Sequence, residues 1–479
     1  MITNRGERVR NKTMIVLACG ALLLSACGSR VDSDESSSGG LAGGGQTPAT
    51  QAPDEGGGDG MFGTLEVPCR PGDTSSYPDQ SEQGVTADTI RIATISDPGG
   101  PQPGLNQSLF DTMQAFADWC NELGGINGRT VQVDLLDAGI LQYKEKVLEA
   151  CDTAFAMVGG LGVLDYLGAQ DAVDCGLINV PAATVSPQAA GADLMWQPLP
   201  NPPDSYAVGA ARWVADNYPD AITKAGAVRG NLQTILTQSD RMIAAYEQEG
   251  FDFISEQTVN VAETNWAPFV LNLKNDGVEY LTATSTFEEV LPMLKVMNEQ
   301  GYQPTIMEYE TNFYDDQFPE GATAQGIDVG DAVVRLTTWP FEEADERPAM
   351  AEYLRILDAS TGQYDTDPAQ LGVQAFSAAL LFATAVDSLG ADVTRDGLAE
   401  ALSAIHEWDG GGLHGESDPG AGISSNCFIM MQIVEDGFER RYPLPDEDAE
   451  VYEAGDGQAC PADARVELPE FGGLGATAG

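Results

Sequence analysis

The sequence predicts an α/β fold built on two parallel sheets. From about residue 89 to residue 310, short β-rich segments alternate with segments of helical spacing. This βαβα order implies a parallel sheet that is covered by helices on both faces. The proline-rich segment Pro198–Pro203 divides the alternation into two runs, and 479 residues are enough for two domains or one large bilobal unit.

The first run begins at Thr89–Asp97, which alternates along its length and is rich in β-branched residues, as a first strand should be. Leu109–Leu123 has apolar residues at helical spacing and predicts the first helix. The same patterns predict strands at Val131–Ala138, Ala156–Gly159 and Leu177–Thr184, and helices at Tyr143–Phe155 and Leu164–Asp174.

The second run repeats this order after the prolines. Predicted strands are Lys224–Arg229, Phe251–Val259, Val278–Thr284 and Thr305–Glu310, and predicted helices are Ala207–Asn217, Ile235–Gly250, Trp266–Asp276 and Phe287–Gln300. A late group follows, with strands at Ala332–Pro340 and Asn426–Val434 and helices at Ala349–Ala359, Gln370–Ser388 and Arg395–Ile405.

The N-terminus has the features of an export signal. Basic residues precede an apolar stretch of 13 residues, Met14–Ala26, which is too short to span a membrane. It ends in Leu24-Ser25-Ala26-Cys27, which resembles a bacterial lipobox. We therefore predict a lipoprotein signal peptide over residues 1–26, lipidation of Cys27, and anchoring to the outer face of the cell membrane. An ordinary signal peptide with an incidental cysteine is the alternative.

The segments at both ends of the folded body look poor in structure. Residues 27–84 are rich in Ser, Gly and Asp, and such a composition predicts a disordered stalk. We expect residues 446–479 to form a C-terminal tail of little structure.

The formal net charge of −51 disfavours nucleic acid as a partner, because the surface repels phosphate backbones. Six cysteines remain after Cys19 and Cys27 are set aside, and an even number in an exported chain suggests disulfides. Cys151 and Cys175 end two successive predicted helices on one sheet, which favours that pair. Weaker expectations are the pairs Cys69–Cys120 and Cys427–Cys460. With no CxxC and two histidines, we expect no metal site.

Several motifs occur in an order that points to a known family. Residues 121–129 read NELGGINGR and are followed by a strand that ends in the acidic residue Asp137. Val180–Thr184 reads VPAAT, and Gly301–Pro304 reads GYQP before a strand. Over about residues 85–445 the chain resembles the type 1 periplasmic binding proteins of the leucine/isoleucine/valine-binding branch.

The resemblance implies two Rossmann-like lobes that are joined by three crossovers. Lobe I would take residues 85–200 and 340–420, and lobe II residues 201–339 and 421–445. The crossings would lie near Pro198–Pro203, Thr337–Pro340 and Gly420–Asn426. Ligands would bind in the cleft at the carboxyl ends of both sets of strands, and a hinge motion would close the lobes around them.

The resemblance also implies candidate ligand-binding residues. In lobe I, backbone amides and hydroxyls would hold a carboxylate, which points to Ala182, Ala183 and Thr184. The alternative is a helix cap at Thr184 or Ser186. The family's serine-rich loop appears here without hydroxyls, around Gly160 and Gly162. The long loop after the first predicted strand contributes Asp97 and Asn106 as candidates for ligand binding. The alternative is that this is a loop held in place by its prolines.

In lobe II, Glu310 matches the family's acidic residue for an α-ammonium, with Glu308 two residues earlier; an exposed acidic pair is the alternative. The other candidates in lobe II are Asn231, Thr286, Phe287 and Phe313. Other residues stand at the positions where the family has aromatic side chains in lobe II. This departure argues against assigning leucine as the ligand by analogy with the family.

No pattern favours an enzyme. The sequence has no HExxH, P-loop or Ser-His-Asp order, and acidic pairs are uninformative among 74 Asp and Glu residues. We therefore expect a monomeric, cofactor-free solute receptor that delivers an amino acid or related amide to the permease subunits of an ABC importer. A surface sensor or adaptor of the same fold is the alternative.

Overall fold

The computed structural model describes residues 60–360, 368–435 and 437–475. The predicted signal peptide and Cys27 lie outside the described residues. The chain forms two main sheets, one in lobe I and one in lobe II. The alternation predicted from the sequence is confirmed, and most predicted elements are found within a few residues of their expected bounds.

The strands that precede residue 200 belong to lobe I. They are β1 (Met61–Phe62), β2 (Leu65–Glu66), β3 (Gln80–Glu82), β4 (Val85–Thr86), β5 (Thr89–Ser96), β6 (Thr130–Asp137), β7 (Ala156–Val158) and β8 (Ile178–Val180). The parallel strands run in the order β6–β5–β7–β8, and the hairpin of β3 and β4 pairs with the start of β5.

The strands after residue 200 form the sheet of lobe II, except that the first and the last of them pair with each other separately. They are β9 (Ser205–Ala207), β10 (Ala225–Gly230), β11 (Phe253–Val259), β12 (Tyr280–Thr284), β13 (Ile306–Tyr309), β14 (Ala332–Leu336), β15 (Ile429–Val434), β16 (Gly437–Tyr442) and β17 (Arg465–Glu467). The sheet order is β11–β10–β12–β13–β14–β15–β16, in which β15 and β16 are antiparallel. Strands β9 and β17 form a separate antiparallel pair. The sequence did not predict β16, β9 or β17.

Helices cover both sheets. They are α1 (Gln107–Glu122), α2 (Tyr143–Thr153), α3 (Tyr166–Asp174), α4 (Pro187–Ala190), α5 (Gly209–Asn217), α6 (Gln233–Gln248), α7 (Ala267–Asp276), α8 (Phe287–Glu299), α9 (Gln317–Gln325), α10 (Pro348–Ala359), α11 (Gln370–Leu389), α12 (Arg395–Ser403), α13 (Ala449–Ala454) and α14 (Pro469–Gly475). The chain passes between lobes three times: from α4 to β9, from β14 to α10, and from α12 to β15.

Residues 60–84 are part of the folded body, so the prediction of a disordered stalk up to residue 84 is wrong for them. Phe62 is fully buried, and its ring lies 5.2 Å from that of Phe376 on α11. Thr64 N donates to Gly411 O at 2.9 Å. Apolar side chains within this Gly-rich stretch find a partner surface that composition alone does not reveal.

The C-terminal segment also differs from the expectation of a tail of little structure. Ala464 and Leu468 are fully buried, and they pack in the core of lobe II with Phe428 and Ile306. Strand β17 pairs with β9. Residues 459–471 therefore cover the hinge side of lobe II.

All three disulfide predictions are confirmed. Cys69 is bonded to Cys120, Cys151 to Cys175, and Cys427 to Cys460. The first bond ties the N-terminal hairpin region to α1, and the last ties the segment before β17 to the start of β15. Both unpredicted terminal segments are thus covalently attached to the body.

One helix in the described part of the chain, α11, is long and apolar enough to cross a membrane by length and composition. Its apolar window is 78% buried, and Phe376, Leu380 and Phe382 are fully buried within lobe I. We therefore assign α11 to the core of lobe I.

The GGINGR turn is a structural joint. Gly125 has φ 76°, and a Cβ there would lie 2.1 Å from Arg129 O. Arg129 is fully buried and donates hydrogen bonds to the carbonyls of Thr86, Gly390 and Ala391. The motif therefore fixes the end of α11 against the lobe I sheet and lies outside the cleft.

A buried histidine beside the hinge makes stability depend on pH. His414 Nδ1 donates to Gly415 O at 2.8 Å, and Nε2 accepts from Ser377 Oγ, which itself accepts from Trp408 Nε1. Burial lowers the pKa of His414 to about 4. The unfolded chain, with a pKa near 6.5, therefore binds the proton first as the pH falls.

We expect this histidine to destabilise the protein by about 2 kcal/mol between pH 7 and pH 5, because stability is retained above pH 6.5 and lost below it. His414→Gln should remove that part of the pH dependence, measured as the change in denaturation midpoint. The exposed His406→Gln is the control. Equal pH dependence in the wild type and His414→Gln would contradict the assignment.

Candidate functional site

A cavity of about 290 Å³ lies between the two lobes. Its walls come from segments that follow parallel strands. Leu105 follows β5, Leu161 follows β7, Ala183 follows β8, Thr286 follows β12 and Asn312 follows β13. The carboxyl ends of the strands in both sheets therefore face this cleft, which is the expected position for a ligand in such folds.

Direct contacts join the lobes across the cleft. Gln102 Nε2 in lobe I donates to Thr286 Oγ1 in lobe II at 2.8 Å. Thr234 Oγ1 in lobe II donates to Val163 O in lobe I, also at 2.8 Å. Ile235 packs against the cluster that contains Val163 and Leu105. The described conformation is therefore one in which the lobes touch.

The structure places three of the predicted lobe I residues at the cleft: Asn106, Ala183 and Thr184. Thr184 Oγ1 lies 3.5 Å from Gln197 Oε1. The helix cap is Ser186, whose Oγ accepts from Ala189 N at 3.1 Å. The role of cap is thus filled by a neighbour, and Thr184 lines the cavity.

Four predicted lobe I residues do not line the cleft: Asp97, Gly160, Gly162 and Ala182. A Cβ at Gly160 would lie 2.6 Å from Ile95 O, and one at Gly162 would lie 2.2 Å from the ring of Tyr143. These glycines allow close packing of the loop after β7. The neighbouring Leu161 and Val163 provide the cleft surface instead.

Two buried carboxylates hold the loops of lobe I in place. Asp97 accepts hydrogen bonds from Ile140 N and Val163 N, both at 2.7 Å, and burial raises its pKa. Asp165 accepts from Val185 N at 2.7 Å, and burial raises its pKa to about 7. Asp97 therefore joins three loops behind the cleft surface.

In lobe II, Thr286 and Glu310 line the cleft, whereas Asn231, Phe287 and Phe313 do not. Asn231 is exposed. The ring of Phe287 stacks on that of Phe318, with centroids 6.1 Å apart. Phe313 is fully buried against Tyr309. Both phenylalanines belong to the core beneath the site.

Glu310 lies within a network of donors. Its Oε1 accepts from Tyr206 Oη at 3.0 Å, and its Oε2 accepts from Gln238 Nε2 at 3.1 Å. Arg335 Nη2 lies 3.5 Å from Oε1. The carboxylate therefore has protein partners on both oxygens. Burial raises the pKa of Tyr206 to about 12, so its phenol stays protonated and donates.

Behind Glu310 lies a second carboxylate, Glu308, which is buried and does not line the cavity. It accepts from Tyr246 Oη at 2.7 Å and Tyr280 Oη at 2.8 Å. Burial raises its pKa, and the charge of Arg335 opposes this shift. Burial by itself would lower the pKa of Arg335, because it disfavours the charged form. The surrounding phenols and carboxylates hold this pKa above its usual value.

Among the residues that the structure describes, the charged ones that line the cleft are Arg241, Arg335, Arg465 and Glu310. Arg241 is 1% exposed, and its Nη2 donates to Pro202 O at 2.7 Å. Arg465 comes from β17 and donates through Nη2 to Asn426 Oδ1 at 2.8 Å. Three cations and one carboxylate therefore surround the cavity in a chain of net charge −51.

Sequence reasoning missed all three arginines. The available signal at Arg335 was a basic residue within an otherwise apolar stretch of a predicted strand, whereas Arg241 follows the polar residues 238–240 and gave no such signal. Arg465 gave no signal because its segment was predicted to have little structure. Neither histidine lines the cleft: His414 is buried near the hinge, and His406 is exposed beside Asp418.

Three solved structures with similar folds bind or transport different ligands. A fatty acid ABC transporter substrate-binding protein from Thermomonospora curvata has 18% identity, a TM-score of 0.65, and coverage of 80% of this chain and 97% of its own. A leucine-binding protein from Thermotoga maritima has 14% identity, a TM-score of 0.60, and coverage of 75% and 100%. A solute-binding protein of an ABC transporter from Rhodopseudomonas palustris BisB5, in complex with 3,4-dihydroxybenzoic acid, has 13% identity, a TM-score of 0.59, and coverage of 80% and 98%.

At these identities the structural neighbours establish the fold alone. No curated protein sequence is detectably similar to the chain. A family model described as "Periplasmic binding protein" matches residues 89–438, which is well over half of the chain. The parallel strands of both sheets and most of the cleft-lining residues fall inside this match. The chain therefore belongs to the periplasmic binding protein family.

Proposed function

We propose that this protein is a lipid-anchored, extracytoplasmic receptor that binds a small organic ligand bearing a carboxylate and delivers it to an ABC importer. The observation that carries the proposal is the cavity of about 290 Å³ at the carboxyl ends of two parallel sheets, across which the lobes make direct hydrogen bonds. Closure around a ligand adds contacts that the open form lacks, and these contacts favour the closed form.

The ligand class is supported by chemistry at the site and by the neighbours' names. Fatty acids, leucine and dihydroxybenzoic acid all carry a carboxylate. In this chain, Asn106, Thr184 and Thr286 offer uncharged polar groups to the cavity, and the three cleft arginines offer positive charge. An amino acid is one ligand of this kind.

Binding is tested on protein that has been unfolded and refolded to remove any retained ligand. A panel of amino acids, amides, aliphatic and aromatic acids and sugars is measured by thermal shift and calorimetry. We expect at least one carboxylate-bearing compound to raise the melting temperature, because a ligand that binds the native state alone stabilises it. A panel without any shift or heat would contradict solute binding.

Anchoring is tested separately through Cys27. In a bacterial host, Cys27→Ser should prevent lipidation and move the protein from the membrane fraction to the soluble extracytoplasmic fraction, because the acyl chains supply the membrane affinity. Cys19→Ser is the matched control and should leave the protein in the membrane. Membrane retention of Cys27→Ser would contradict the lipid anchor.

A further inference from the structure

Glu310 is poorly placed to hold a ligand's ammonium group. Both of its oxygens already accept hydrogen bonds, from Tyr206 and Gln238, and Arg335 balances its charge. An ammonium group entering here would add a cation beside Arg335 and Arg241. Like charges in a partly buried site repel each other strongly, because little water is present to screen them.

Arg241 has unused capacity for a hydrogen bond. Three of its bonds leave from Nη2 alone, to the oxygens of Asn201, Pro202 and Ser205, and its buried Nε has no partner among the described residues. By contrast, Arg129 and Arg395, the structural arginines of lobe I, each donate from all three guanidinium nitrogens to backbone carbonyls. Arg241 therefore differs from an arginine that only holds loops together.

Arg241 and Arg465 also share an excess of charge. The hydrogen-bond acceptors found for both are uncharged oxygens. Burial lowers the pKa of each guanidinium, which records the cost of keeping this charge away from water. A buried charge is stabilised when an opposite charge reaches it. An anion in the cleft would supply that charge.

The opposite wall of the cleft carries apolar side chains beside the uncharged polar residues Asn106, Thr184 and Gln197. Leu105, Leu161, Val163 and Val185 of lobe I line it, together with Ile235 of lobe II. No charged side chain of lobe I is among the cleft-lining residues that the structure describes. A hydrocarbon group would therefore be desolvated against lobe I, at about 25 cal/mol for each Å² of apolar surface removed from water.

Resting on the proposed function, we infer that the ligand is an amphipathic carboxylic acid without an α-ammonium group. Its carboxylate faces Arg241 and Arg465 in lobe II, and its hydrocarbon part lies against the leucine and valine side chains of lobe I. Glu310 positions Arg335 and does not contact a ligand cation.

Matched ligand sets test this inference on the refolded wild-type chain. One set is leucine, isocaproate and isoamylamine, and the other is phenylalanine, hydrocinnamate and phenethylamine. Within each set the hydrocarbon is kept and one charged group is removed. We expect calorimetry to show each acid binding at least ~10-fold more tightly than its amino acid, with no detectable binding of the amines.

Each other outcome overturns the inference. Tighter binding of the amino acids, or binding of a sugar instead, would overturn it and leave the proposed solute receptor intact. If no member of the panel binds, both this inference and the proposed solute receptor are overturned.

Glu310→Gln separates the two roles of this residue. If Glu310 contacts Arg335 and no ligand cation, the isosteric amide leaves the site in place and removes one negative charge near the anion. The variant should then bind the acids as tightly as the wild type or about 3- to 10-fold more tightly. If Glu310 instead holds an ammonium, the variant should lose leucine binding. Glu299→Gln, an exposed change on α8, is the control. A variant that melts like the wild type but binds the acids more than ~10-fold less tightly would overturn the inference.

Discussion

Replacing Phe62 by alanine is expected to lower the free energy of unfolding by about 3–5 kcal/mol, the usual cost of removing a buried phenylalanine. Phe62 is fully buried, and its ring contacts those of Trp119 and Phe376. The alanine variant would leave a cavity between α1, α11 and the N-terminal hairpin. The measurement is the midpoint of urea denaturation, with unfolding monitored by circular dichroism.

The adjacent Met61 provides the control. It is 42% exposed, so Met61→Ala should change stability by less than about 0.5 kcal/mol. If Phe62→Ala left the denaturation midpoint unchanged, residues 60–84 would belong to the flexible stalk that their composition suggests, and not to lobe I.

Replacing Arg335 by methionine is expected to destabilise the protein by about 3–5 kcal/mol, because breaking a buried ion pair leaves an uncompensated charge. Arg335 is paired with Glu310, and its side chain is 15% exposed. Its Nη1 also donates to Tyr246 Oη at 3.3 Å, next to Glu308. The variant leaves two carboxylates in the network without their cation.

The destabilisation should depend on pH in a defined direction. Burial already raises the pKa of Glu308, and loss of Arg335 should raise it further. A carboxyl group whose folded-state pKa is raised destabilises the folded protein when it is ionised. The loss of unfolding free energy in the variant, relative to the wild type, should therefore be largest above that pKa and should shrink as the pH falls towards 4.5.

Two further variants identify the cause. Arg335→Met combined with Glu310→Gln should recover part of the lost stability, because it removes one of the unpaired charges. Arg355→Met breaks an exposed pair with Glu352 and should cost less than about 1 kcal/mol. A deficit of Arg335→Met that is independent of pH and unchanged by Glu310→Gln would show that lost packing, and not charge, is the cause.

Much of the fold could be predicted from sequence because its signals are local. The spacing of Leu109, Met113, Phe116 and Cys120 on the first helix identifies a face that is fully buried in the structure. Strand and helix patterns need only a few residues to be read, and the order of the elements then limits the topology. The same local reading failed for residues 60–84, where isolated apolar residues such as Phe62 pack against a distant helix.

The candidate site could be predicted only in part. Thr286 and Glu310 follow strand ends, so their place at the cleft follows from the fold. The positions of the neighbouring arginines do not follow from the fold in this way. Arg241 is on α6, Arg335 is in β14 and Arg465 is in β17, and no sequence spacing relates them. Whether Glu310 is free or already paired depends on which side chains the folded chain brings beside it.

The sequence by itself determined the α/β alternation and the family, because each is carried by short patterns, whereas the even number of cysteines indicated disulfides and the structure decided their pairing. Only the tertiary structure decided the character of the cleft. Tyr206, Gln238 and Arg335 already contact the carboxylate of Glu310. The hydrogen-bond acceptors found for Arg241 and Arg465 among the described residues are uncharged oxygens. In a chain of net charge −51, that packing surrounds the cavity with more cations than anions.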